Sequence, residues 1–79
     1  MFNQVALKNN AAKLAIQCKQ GQCSLGTALL TLQSQIEQTA KNVVYQERGC
    51  LPPGSWIDQY VAIRATTNKE FWAMYRAQV

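Results

Sequence analysis

Between Ser24 and Gly49 the chain carries one unbroken helical stripe, and no other segment constrains the fold as strongly. Leu25, Leu29, Leu32, Ile36, Thr39 and Val43 follow one another at alternating four- and three-residue steps, with Ala28, Ala40 and Val44 on the flanks. Ser34, Gln38, Lys41 and Asn42 lie opposite, and Glu37 with Lys41 makes a favourable i,i+4 pair on that polar side. Ser24 is suited to cap the start, because its hydroxyl can accept from a backbone N–H left without a partner in the first turn. Gly49 and then Pro52-Pro53-Gly54 end the segment. A helix of this length spans roughly 36 Å. The spacing also resembles a coiled-coil seam, so Leu25, Leu29, Leu32, Ile36 and Val43 are candidate protein-interface positions. Packing inside one monomer accounts for the same stripe equally well.

Residues 3–20 read as an earlier helix. Leu7, Ala11, Leu14 and Cys18 share one stripe with Ala15 beside it, and Val5, Ala12 and Ile16 form a second. Lys19 suits the negative end of the macrodipole and Gly21 supplies a C-terminal stop. Further on, Ser55 with Asp58 and Thr67 with Glu70 have the spacing of capping boxes, the first a weaker variant. Trp56, Ile57, Tyr60, Val61 and Ile63 cluster on one side of a helical projection; Phe71, Trp72, Met74, Tyr75 and Val79 do so again after Thr66-Thr67-Asn68. Two short amphipathic helices are therefore expected. The rival is a β-hairpin with strands near 57–64 and 70–77, supported by the local wealth of β-branched and aromatic residues. Its alternation is poor, since Gln59 would fall among Ile57, Val61 and Ile63. The expected fold is all-α, a single domain over 1–79 with about four helices, and an α+β fold with a C-terminal hairpin is the alternative.

At 79 residues such a domain is marginal without a staple or a partner. Charged residues make up 15% of the chain, against about 25% in an average soluble domain. Amides such as Gln17, Gln20, Gln22, Gln33, Gln35 and Gln38 carry the polar surface instead. A weakly charged surface resists association poorly, which points to a homo-oligomer or a protein partner. The net charge of +4 comes more from few acids than from many bases, and admits polyanions as ligands. The first residues lack the basic start and apolar run of a signal peptide. No stretch approaches the roughly 20 apolar residues of a membrane span. A cytoplasmic protein that does not enter the membrane is expected.

Catalysis is hard to stage with these residues. There is no histidine, the four acids are scattered singly, and Gly21 and Gly26 belong to no phosphate-binding loop. Three cysteines without histidine do not fill a zinc site. Cys18 and Cys23 lie five apart across a helix end, a spacing that permits a bridge, although Cys18 and Cys50 also suit a core as small hydrophobes. No enzyme activity, metal or cofactor is expected. The basic-aromatic edge near the C-terminus is more informative. On a helix Lys69, Trp72 and Arg76 stand at i, i+3 and i+7, with Arg64 on the preceding element, a set able to meet phosphates and stack on a base. The competing role for Trp72 is as part of the core. The expected function is non-enzymatic binding or regulation through a protein partner or self-association, with nucleic-acid binding at Arg64, Lys69, Trp72 and Arg76 as the alternative.

Overall fold

A computed structural model describes residues 4–78 and contains three helices, α1 (Gln4–Lys19), α2 (Leu25–Arg48) and α3 (Ile57–Ala77). The side chain of Val5, placed above on the second stripe of the first helix, lies outside the described ones.

The ends of α2 follow local chemistry. Ser24 takes an extended backbone, φ −76° and ψ 154°, and its hydroxyl accepts from the Thr27 N–H at 3.2 Å. Gly49 adopts φ 73° and donates its N–H to the Tyr45 carbonyl at 2.7 Å. Replacing Ser24 with alanine should lower stability by about 0.5–2 kcal/mol. Urea unfolding checks this, and a change within the scatter of exposed positions would remove Ser24 as the cap. At the end of α1, Gly21 stands at φ 77°. Its N–H reaches the Cys18 carbonyl at 3.2 Å while the Gln22 N–H reaches the Gln17 carbonyl at 2.9 Å. This pair of bonds is a Schellman turn, and it reverses the chain into α2.

The expected pair of C-terminal helices is one continuous helix, and no strand occurs among the described residues, so the hairpin is not formed. Thr67 explains the difference. It is 2% exposed and stands between Ile63 and Phe71 in the buried row of α3, so it does not cap a new helix. Burial of that row outweighs the weak helix preference of Thr66-Thr67-Asn68. The Thr66 hydroxyl donates back to the Ala62 carbonyl at 3.4 Å, satisfied inside the helix it was expected to interrupt. The other capping box is also absent. Ser55 donates its hydroxyl to the Pro52 carbonyl at 2.6 Å, and α3 begins after Trp56 with no side-chain cap.

The helices run up, down and up. Lys19 at the end of α1 sits over the Tyr75 ring near the end of α3, 4.3 Å from its centroid. Lys41 in the second half of α2 sits 5.0 Å from the Trp56 ring, just before α3 begins. The bundle is long and thin, 44 × 20 × 15 Å. Its core draws one row from each helix: Leu7, Ala11 and Ala15; Ala28, Leu32, Ile36, Ala40 and Val44; Ile63, Thr67 and Phe71. Every step in these rows is four residues. On α2 the alanines read as flanks therefore hold the centre, while Leu25, Leu29, Thr39 and Val43 are half-buried at the margins. A four-residue period drifts around a 3.6-residue helix, so it suits short helices crossing one another and not a left-handed coil, which needs 3.5. Four fully buried alanines let the helices approach closely, and Leu32, Ile36 and Phe71 fill the space between them.

A candidate binding groove between the second and third helices

Because α3 is unbroken, Tyr60, Arg64, Asn68 and Trp72 form a single row at four-residue steps, with Trp56 before it and Arg76 after it. Tyr60, Arg64 and Asn68 each precede a buried residue by three positions, so they border the core row on its α2 side. Across from them α2 presents Leu29, Gln33 and Ile36. The two sets line an open groove of about 340 Å³. Leu29 brings aliphatic surface to it, with the buried Ile36 beneath. The two aromatic rings, the two amides and the guanidinium bring polar heads.

The aromatic wall is fixed by the core behind it. Trp72 meets Phe71 edge-on at 5.1 Å between centroids and Tyr75 at 5.5 Å, while Phe71 and Tyr75 stack at 6.1 Å. Trp72 is consequently half-buried, partly committed to packing and partly open to the groove. At the other end Trp56 and Tyr60 meet edge-on at 5.8 Å, and Lys41 covers Trp56 while paired with Glu37 at 3.0 Å. Arg64 is exposed and has no ion pair among the described residues. No carboxylate lines the groove. An anionic group arriving there would meet an uncompensated guanidinium beside indole and phenol rings.

Of the expected basic-aromatic set, Arg64 and Trp72 come together in this groove. Lys69 and Arg76 are exposed on the same helix outside its lining. Of the expected interface set, Leu32 and Ile36 are each 1% exposed and belong to the intramolecular core, and Leu25, Leu29 and Val43 are half-buried. Of these five positions, Leu29 and Ile36 lie along the groove. Tyr60, Asn68 and Gln33 are not among the site residues expected from the sequence, where they read as an apolar face, a helix break and a surface amide. The signal for Tyr60 and Asn68 is their four-residue register with Arg64 and Trp72, which a break at residues 66–68 conceals.

Comparison of the chain with family models, with curated proteins and with solved structures returns no match. Among the described residues no three His, Cys, Asp or Glu side chains gather as a metal would require, and no helix is long and apolar enough to cross a membrane.

Proposed function

We propose that this chain is a small non-enzymatic binding protein that holds a segment of a protein partner in the α2–α3 groove. One observation supports this most: Tyr60, Arg64 and Trp72 line a single open groove that contains no carboxylate. Trp, Tyr and Arg are the residue types that most often dominate binding energy at protein interfaces. Here Trp72 is already held by Phe71 and Tyr75, so little side-chain freedom is lost on binding. The matching segment carries a carboxylate for Arg64 and an apolar side chain for Leu29. Gln33 and Asn68 are placed to satisfy its backbone. The volume is near the lower end for ligand pockets, so one or two anchoring side chains enter and the rest of the segment lies along the helices. The cations are dispersed over all three helices, which favours a protein segment over a nucleic-acid backbone.

A photoreactive amino acid in place of Gln33, activated in native lysate treated with nuclease, tests the proposal. The expected product is a protein adduct, identified by mass spectrometry, whose binding to the purified chain falls at least about 30-fold in Arg64→Glu, the loss typical of a hot spot. A partner indifferent to Arg64→Glu would overturn the assignment, and so would a second copy of the chain as the adduct. Adducts lost on nuclease treatment would favour nucleic acid. In that case Lys69→Gln with Arg76→Gln should flatten the salt dependence of binding by about one unit per lost phosphate contact.

A further inference from the structure

We propose that Cys18 and Cys23 are a redox-active pair that closes to a disulfide by exchange with a small disulfide such as oxidised glutathione. The pairing follows from the corner between α1 and α2. The Schellman turn, fixed by Gly21 at φ 77° and by the bonds to the Cys18 and Gln17 carbonyls, folds the chain back on the end of α1. Cys23 is thereby returned towards Cys18, near enough to act on its thiol. Both are half-buried and pack against the same core cluster. Cys18 is held above the ordinary thiol range, by burial first and then by the neighbouring Cys23. Cys50 is no competitor within one molecule. It follows the far end of α2, so the whole 24-residue helix separates it from Cys23, a distance of roughly 36 Å.

The exchange balances as two substitutions at sulfur. The Cys23 thiolate attacks one sulfur of the glutathione disulfide, forming a mixed disulfide and releasing one glutathione thiolate. Cys18, deprotonated, then attacks the Cys23 sulfur, and the second glutathione thiolate leaves. The two cysteines are oxidised by two electrons, the glutathione disulfide is reduced to two thiols, and the cysteine protons pass to the departing thiolates. The bond would tie α1 to α2, the pair of helices with the least mutual packing.

The test is the effective concentration of the pair, measured in glutathione redox buffers on the full chain carrying Cys50→Ser. Acid-quenched, alkylated samples are read by mass for the loss of two hydrogens. Circular dichroism confirms that the sample in native buffer is helical. The effective concentration should be at least about tenfold higher in native buffer than in concentrated urea, equivalent to about 1.4 kcal/mol of native-state stabilisation by the bond. Cys18→Ser should abolish the two-hydrogen loss. A native value less than tenfold above the unfolded one would overturn the proposal, because the folded corner would then do little to bring the thiols together.

Discussion

Replacing Phe71 with alanine should remove about 3–5 kcal/mol of stability, the range observed when a buried aromatic ring is deleted from a core. Phe71 is 0% exposed and is one of the three largest fully buried side chains, with Leu32 and Ile36. It also supports both Trp72 and Tyr75. The neighbouring core rows are rich in alanine, which has no longer side chain to swing into the void, so the cavity would collapse poorly. Small domains have folding free energies of only about 5–15 kcal/mol and short chains sit near the lower end, so much of the population would unfold on modest heating. Urea titration followed by circular dichroism measures the loss. Tyr45→Ala, at a position 59% exposed, is the control and should stay within about 0.5 kcal/mol. A loss below about 2 kcal/mol for Phe71→Ala would mean that the core does not depend on this ring.

Asn68→Pro separates one long helix from two short ones. If a new helix began after a Thr67 cap, residue 68 would be its first helical position, where proline is tolerated because its missing N–H has no intrahelical partner there. In the continuous α3, residue 68 lies mid-helix. A proline there deletes the bond to the Arg64 carbonyl and drives its ring against that carbonyl, at a cost of about 3 kcal/mol or more. The large cost is expected. A nearly neutral Asn68→Pro, judged by the same titration, would restore the two-helix arrangement.

The legible parts of this fold are those set by local chemistry. Ser24 and Gly49 bound α2 as expected, because a capping hydroxyl and a left-handed glycine each act within a few residues. Thr67 presents an equally good local signal, and there the sequence misleads, because burying Ile63, Thr67 and Phe71 against α1 and α2 is a tertiary effect. Ser55 misleads for a nearer reason, since the Pro52-Pro53-Gly54 turn offers its hydroxyl a carbonyl before the helix can. The candidate site divides in the same way. Arg64 and Trp72 stand out by residue type. Tyr60 joins them only along an uninterrupted α3, and Gln33 only through the register of α2 against that helix.

The up-down-up order of the helices has a consequence for how the chain is made. α1 packs more extensively against α3 than against α2, and Lys19 meets Tyr75 almost at the other end of the chain. Synthesis proceeds from the N-terminus at about 5–20 residues per second. α1 therefore leaves the ribosome long before its principal partner exists. Until Ile63, Thr67 and Phe71 have emerged, Leu7, Ala11 and Ala15 can be covered only by the sparser contact with α2. α3 thus controls the timing of the whole domain, and a chain stalled before it would present the apolar row of α1 to whatever binds nascent polypeptides.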